Sequence, residues 1–239
     1  MNVNFFVTCI GDAFKSRMAQ KSVLLLEQLG CNVHFPEKQG CCGQPAINGG
    51  YVRDAIPGMK NIISSLEEND WPIVSPAGSC TYTIKNYARY LSEEPGWAAR
   101  AEKVAERLHD LTSFIVNNLG ITDVGASLNG RAVYHPSCSL SRKLGVTREP
   151  LLLLENVRGL ELLPFHAQET CCGFGGTFSV KMAEISGEMV KEKVSHIMDV
   201  KPDFLIGADA SCLLNIGGRL SREGHPVKVM HIAEVLMSR

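Results

Sequence analysis

Gln39-Gly40-Cys41-Cys42-Gly43-Gln44-Pro45 and Thr170-Cys171-Cys172-Gly173-Phe174-Gly175-Gly176 each set two cysteines side by side ahead of a glycine. One lone cysteine stands upstream of each pair and one downstream: Cys9 and Cys80 about the first, Cys138 and Cys212 about the second. From copy to copy these four positions are displaced by 129, 130, 130 and 132 residues. Eight of the nine cysteines therefore fall into two matching sets, and the chain reads as an internal repeat. Packing of a small buried thiol explains one or two positions but not four matched spacings. Cys31 lies outside the pattern and reads as a packed thiol just before a strand.

The segments around the cysteines set the fold class. Asn4 to Thr8, Pro72 to Ser75, Ala132 to His135 and Asp203 to Ile206 are short runs rich in β-branched and aromatic residues, each followed by a lone cysteine. Asn32 to Phe35 and Leu160 to Phe165 read the same way and precede the two pairs. Helical stripes lie between them, over Ser16 to Leu29, Tyr51 to Leu66 with a kink or restart expected at Pro57, Trp97 to Leu119, and Phe178 to Val200. Strands alternating with helices predict an α/β fold of two similar halves, each a mainly parallel sheet flanked by helices. In such sheets sites form beyond the carboxyl ends of the strands, which is where all the repeated cysteines fall. Three glycines within Gly120 to Gly130 mark the join, with the helix from Trp97 packing across both halves, so the halves are expected at 1–125 and 126–239.

Composition narrows the function classes. The 239 residues are 45% hydrophobic and 21% charged, as in a folded globular protein, and the net charge is −1. No lysine- or arginine-rich run provides a nucleic-acid footprint. No apolar stretch is long enough for a membrane span or a signal peptide, so a cytoplasmic protein is expected. In that reducing setting nine cysteines point to metal ligation or thiol chemistry.

Thiolates hold zinc or iron–sulfur clusters. Adjacent cysteines throw their side chains in different directions, which suits an object of several irons better than one small zinc ion. The flanking glycines Gly40, Gly43, Gly173, Gly175 and Gly176 let backbone N–H groups approach anionic sulfur. A dinucleotide site at Gly173 to Phe178 is discounted, because Phe178 stands where the last glycine of G-x-G-x-x-G belongs. Thiol–disulfide chemistry lacks a Cys-x-x-Cys, and Ser137-Cys138 with the nearby His135 shows no nucleophile–base arrangement. His135 reads instead as a strand-end residue or a donor to sulfur.

Two copies of a lone Cys, a Cys-Cys-Gly and a late Cys resemble the duplicated cysteine-rich domain found in the B subunit of heterodisulfide reductase and in the iron–sulfur subunit of glycolate oxidase. The resemblance is densest to the lactate utilization protein A family, through FFVTC (Phe5 to Cys9), GCCGQPAINGGYVRDA (Gly40 to Ala55), SPAGSC (Ser75 to Cys80), LTSFIVNNLG (Leu111 to Gly120), CCGFGGTFSVKMAEIS (Cys171 to Ser186), LIGADASCLLNIGGRL (Leu205 to Leu220) and PVKVMHIAEVL (Pro226 to Leu236). It implies an electron-transfer component of L-lactate oxidation that works with two further proteins, one of them carrying ferredoxin-type clusters. It also implies that Cys9, Cys41, Cys42 and Cys80, and Cys138, Cys171, Cys172 and Cys212, are the cluster ligands.

One departure stands out. The heterodisulfide reductase relatives end each copy in Cys-x-x-Cys and supply five thiolates, whereas here those ends read Ala77-Gly78-Ser79-Cys80 and Asp209-Ala210-Ser211-Cys212. Four thiolates match a cubane [4Fe–4S], one cluster per repeat. Asp209, in the lost position, is either an oxygen ligand or a helix-capping carboxylate; His135, His166 and Ser211 are weaker substitutes. No lactate carboxylate clamp, flavin site or hydride acceptor is legible in the chain, which places substrate oxidation in a partner. The competing expectations are a heterodisulfide-reductase-like thiol/disulfide enzyme and a zinc-stabilised binding module.

Overall fold

Val3, Phe5 and Phe6 at the start of the chain, and Ala132 and Val133 in its middle, have no exposed surface. They seed the central strands of two sheets in the computed structural model, which describes all 239 residues. The first half runs β1 (Asn2–Phe5), α1 (Cys9–Phe14), α2 (Ser16–Gln28), β2 (Asn32–His34), α3 (Gln44–Asn48), α4 (Val52–Leu66), β3 (Ile73–Ser75), α5 (Gly78–Lys85), α6 (Tyr87–Tyr90), α7 (Trp97–Arg107), β4 (Leu108–Asp110) and α8 (Leu111–Ser113), which continues into a π-helical turn, Phe114–Asn118. The second half follows with β5 (Ser127–His135), a π-helical turn at Ser139–Lys143, α9 (Arg148–Glu155), β6 (Arg158–Leu162), α10 (Phe178–Lys181), α11 (Ala183–Asp199), β7 (Phe204–Gly207), α12 (Ala210–Arg222), β8 (Lys228–His231) and α13 (Ile232–Leu236). The sheets are ordered β2-β1-β3-β4 and β6-β5-β7-β8, and every pair is parallel. The repeat in cysteine spacing is thus a repeat in topology, an α/β fold of two similar halves.

Three expectations about elements are corrected. The stripe from Trp97 to Leu119 is not one helix: α7 ends at Arg107, and Leu108, His109 and Asp110 pair with Ile73, Val74 and Ser75. A helical stripe cannot report that the edge of β3 needs hydrogen-bond partners, and that need overrides the local period. β8 satisfies the edge of β7 in the same way. The helix expected from Phe178 to Val200 breaks at Met182 (φ −123°, ψ 51°) into α10 and α11. Pro57 does not restart α4, which is a single helix from Val52 to Leu66. Its missing N–H removes one bond, while Ala55, Met59, Ile62, Ile63 and Leu66 hold the helix down by burying one face.

The largest apolar cluster belongs to both halves. Val3, Phe5 and Val74 from the first sheet meet Ala132, Tyr134, Ile206 and Met230 from the second. Leu111, Phe114 and Ile115, just past β4, fill the cluster alongside Ile232, Val235 and Leu236, just past β8. Helix α13 lies against α2 of the first half and α9 of its own. Cys31 packs into this cluster immediately before β2, as a structural thiol.

At the seam, a Cβ added at Gly78 would lie 2.7 Å from Leu140 Cβ and 3.0 Å from Leu140 Cα and N. Backbone on the far side cannot yield, so Gly78→Ala is expected to destabilise the fold by about 2 kcal/mol in urea unfolding.

Asp110 caps α8 from inside the protein, Oδ1 accepting from Thr112 N at 2.8 Å and Ser113 N at 3.3 Å while Oδ2 has no partner. Burial raises its carboxyl to about 6 against these opposing bonds. A carboxyl raised on folding binds its proton more tightly in the folded state. Its contribution is therefore present below the unfolded value and lost as pH rises through about 6. The unfolding free energy is expected to fall by about 2–3 kcal/mol across that window. Asp110→Asn, which keeps the capping oxygen, should flatten this part of the pH–stability curve in urea melts at successive pH values.

Candidate metal centres

Each repeated cysteine is set by backbone that follows a strand. Cys9 opens α1 after Thr8, whose φ of 69° is unusual for a β-branched residue and whose hydroxyl accepts from Gly11 N at 3.1 Å. Cys138 precedes its turn after Ser137, whose hydroxyl accepts from Leu140 N at 3.3 Å. The pairs follow loops that reverse at matched left-handed residues, Lys38 (φ 61°) and Ala167 (φ 52°). Asn61 Nδ2 donates to Lys38 O at 2.6 Å, and at the matching place Lys193 Nζ donates to Ala167 O at 2.9 Å and Gln168 O at 3.0 Å. After each pair the chain turns through Gly43 (φ 81°) or Gly173 (φ 84°), a left-handed step that favours glycine. The late cysteines, Cys80 and Cys212, are third residues of α5 and α12, at the amino ends of those helices.

This geometry brings the four predicted cysteines of each half together, all as free thiols. Cys42 Sγ lies 3.3 Å from Cys80 Sγ, and Cys172 Sγ lies 3.1 Å from Cys212 Sγ. The adjacent cysteines do diverge, with Cys41 exposed and Cys42 2% exposed. Within the first set, S–H donation from Cys42 and Cys9 pulls the Cys41 thiol far down, and contact with that thiolate pushes Cys9 and Cys42 up. In the second set, contact with Cys171 and burial push Cys138 up. For Cys172 the Cys171 contact lowers the thiol, but the Cys212 contact and burial outweigh it. The thiols of each half form a chain of contacts from the lone cysteine through the pair to the late one, which suits several metal atoms. Tyr87 Oη donates to Cys42 O at 2.8 Å and Asn215 Nδ2 to Cys172 O at 2.7 Å, fixing the backbone of the pairs.

Asp209 acts as a cap in this structure. Oδ1 accepts from Ser211 Oγ at 2.6 Å and Ser211 N at 3.2 Å, and Oδ2 accepts from Ser79 N at 2.9 Å in the opposite half. Both oxygens are thus engaged at two helix N-termini. Ser211 lines both cavities but spends its hydroxyl on this cap. His166 packs edge-on against His196, with ring centroids 4.7 Å apart.

His135 is the last residue of β5 and is 1% exposed. A ring nitrogen and the sulfurs of Cys172 and Cys212 all lie within 4.8 Å of one another. Neither ring nitrogen has a hydrogen-bond partner. Burial pushes the imidazole down to about 3, so it is neutral. Lys193, its side chain wholly buried, is pulled to about 8 by burial against the opposing pull of Cys172 and Cys171.

The two cysteine sets also adjoin, which the spacing did not reveal. Cys9, Cys41, Cys42 and Cys80 line a cavity of about 200 Å³, and Cys138, Cys171, Cys172 and Cys212 line one of about 80 Å³. Gln44, Ser79, Phe174, Gly176, Asp209 and Ser211 line both. The loops after the pairs dock on each other, with Thr177 Oγ1 donating to Pro45 O at 3.1 Å. Lys193, Tyr87, Asn215 and Phe174 were not singled out from sequence. They are not copied between the halves, so the repeat carried no signal for them.

No helix is long and apolar enough to cross a membrane. A family model described as "CCG: Cysteine-rich domain" matches residues 3–85 and again 132–217. The chain is 78% identical over 239 residues to "Uncharacterized protein YkgE" of Escherichia coli (strain K12), with all of both chains covered. It is 53% identical to "Lactate utilization protein A" of Geobacillus sp. (strain WCH70) and 52% identical to that of Bacillus subtilis (strain 168), again over the whole of each chain. Among solved structures it is similar to "Crystal structure of a hypothetical protein from Helicobacter pylori", with a TM-score of 0.66 and 10% identity. That likeness covers 99% of this chain and 48% of the other, and it speaks to the fold alone. With the cysteine-rich domain present twice and full-length relatives above half identity, the chain belongs to the CCG cysteine-rich family that includes lactate utilization protein A.

Proposed function

We propose that this chain is the iron–sulfur electron-transfer subunit of an L-lactate oxidation system, holding one [4Fe–4S] cluster in each half. The observation that carries the reading is the pair of adjoining pockets, each lined by four free thiols strung beyond the ends of parallel strands. The lactate assignment comes from the relatives named lactate utilization protein A. Cys9, Cys41, Cys42 and Cys80 would hold one cluster and Cys138, Cys171, Cys172 and Cys212 the other, one thiolate per iron. Such a cluster supplies one-electron oxidation and reduction. The protein's part is to bury the inner sulfurs, as at Cys42, Cys80, Cys172 and Cys212, and to keep the outer edge at Cys41 exposed for exchange with a partner. Ligation needs thiolates, so loading releases protons and is favoured as pH rises. Substrate oxidation belongs to partners, two further lactate-utilization proteins of which one carries ferredoxin-type clusters. On this reading the chain works as a redox relay in the cytoplasm.

Zinc is the second reading, favoured by the tight gathering of His135, Cys172 and Cys212 within 4.8 Å. Anaerobic purification with iron, acid-labile sulfide and zinc counted per chain, followed by electron paramagnetic resonance after reduction, separates the two. About eight irons and eight sulfides with a reducible signal are expected for two cubanes. Zinc without sulfide would overturn the proposal. A heterodisulfide-reductase-like enzyme would instead show a substrate-dependent spectral change in the isolated chain. Capping by Asp209 and the bare Ala77 leave that reading without its fifth ligand.

A further inference from the structure

Although the two centres share a topology, their surroundings differ in charge. The strand registers superpose the halves residue by residue: Phe5 stands opposite Val74 as Tyr134 stands opposite Ile206, which makes His135 the counterpart of Phe6. Phe6 is wholly buried in the apolar cluster that holds Cys42 and Cys80. His135 is as deeply buried, but neither of its ring nitrogens has a partner and one lies within 4.8 Å of the Cys172 and Cys212 sulfurs. Asn61 and Lys193 hold the two reversals before the cysteine pairs, so a buried ammonium in the second half replaces a neutral amide. By the displacement of 129 residues that relates Cys9 to Cys138, Arg142 and Lys143 replace Ala13 and Phe14. Lys143 lines the second cavity and lies 4.7 Å from the Tyr82 ring of the first half. Every one of these four exchanges adds positive charge or a hydrogen-bond donor on the same side, against one opposing exchange, Asp209 for Ala77, whose carboxylate lines both cavities and is held by N–H groups of both halves.

We infer that the second-half centre has the higher reduction potential of the two, because His135 places a polar imidazole, its ring nitrogens unpartnered, within 4.8 Å of two of its sulfurs, and Lys193, Arg142 and Lys143 stabilise its more negative reduced form. This ordering rests on the iron–sulfur reading above. Reduction adds one negative charge to a cluster, and hydrogen bonds to sulfur, nearby charge and solvent exposure set what that costs. When dithionite supplies one electron per molecule, the dithionite is oxidised and the electron settles on the second-half centre. An electron entering at the first half therefore runs downhill across the shared wall.

Stepwise dithionite reduction of the anaerobically purified full chain, followed by electron paramagnetic resonance, tests this. Two waves are expected, and at the poise where the second-half centre is half reduced the reduced-to-oxidised ratio of the first-half centre should be at least tenfold smaller, which for one electron is 59 mV. Cys171→Ser should remove the wave at higher potential, and Cys41→Ser the wave at lower potential. His135→Phe, Lys193→Asn and the exposed double change Arg142→Ala with Lys143→Phe should each move only the higher wave, downward, while Lys193→Arg should leave it in place. A single coincident wave, a higher wave that disappears with Cys41→Ser, or three charge variants that leave both waves unmoved would overturn the inference while leaving the iron–sulfur reading intact. So would a strongly coupled nitrogen in pulsed spectra, since His135 would then be a ligand and not a donor. Wild-type protein without iron and sulfide would overturn the underlying reading itself.

Discussion

Cys42→Ser is expected to halve the iron and sulfide of anaerobically purified protein, from about eight of each to about four, with the remaining signal that of the second half. Cys42 sits in the middle of its contact chain, touching Cys41 on one side and lying 3.3 Å from Cys80 on the other. It is 2% exposed, so no external thiol reaches in to substitute. A serine hydroxyl is a poor iron ligand beside a thiolate, and its proton is far harder to remove. The mirrored change Cys172→Ser should leave the other half loaded. Loss of all iron in either single variant would mean that the two sets act as one centre, and unchanged iron would remove these cysteines from the ligand set.

Asp209→Ala is expected to destabilise the folded protein by about 3 kcal/mol in urea unfolding, combining a lost helix cap with a lost charge-assisted hydrogen bond. The carboxylate is 2% exposed and accepts from Ser211 in its own half and from Ser79 N in the other. Its counterpart in the repeat is Ala77, which has no capping side chain, so α5 takes its cap from across the seam. Asp209→Asn retains one acceptor but turns an amide donor toward one of these N–H groups, so it should cost nearly as much. A smaller loss than about 1 kcal/mol in both variants would show that the tie is not a cap but a contact water replaces easily.

Much of this was legible from the chain. The doubled Cys-Cys-Gly and its flanking cysteines identified the repeat, and the short apolar runs before them placed every repeated cysteine beyond a strand. The strands at Leu108–Asp110 and Lys228–His231 were not legible, since they extend to satisfy the edges of β3 and β7 and carry no period of their own. Pro57 gave a local signal for a restart that packing overrode.

By itself the sequence determined the two matched sets of four cysteines, because covalent spacing and the residues beside each cysteine are local properties. Only the tertiary structure decided that the two pockets share a wall, that Asp209 caps helices of both halves, and that His135 lies beside sulfur and Lys193 holds the loop before the second pair where Phe6 and Asn61 stand in the first half. Those relations join residues as far apart as the 130 positions between Ser79 and Asp209. They arise when two buried faces close on one core, and no pattern along the chain encodes which faces will meet.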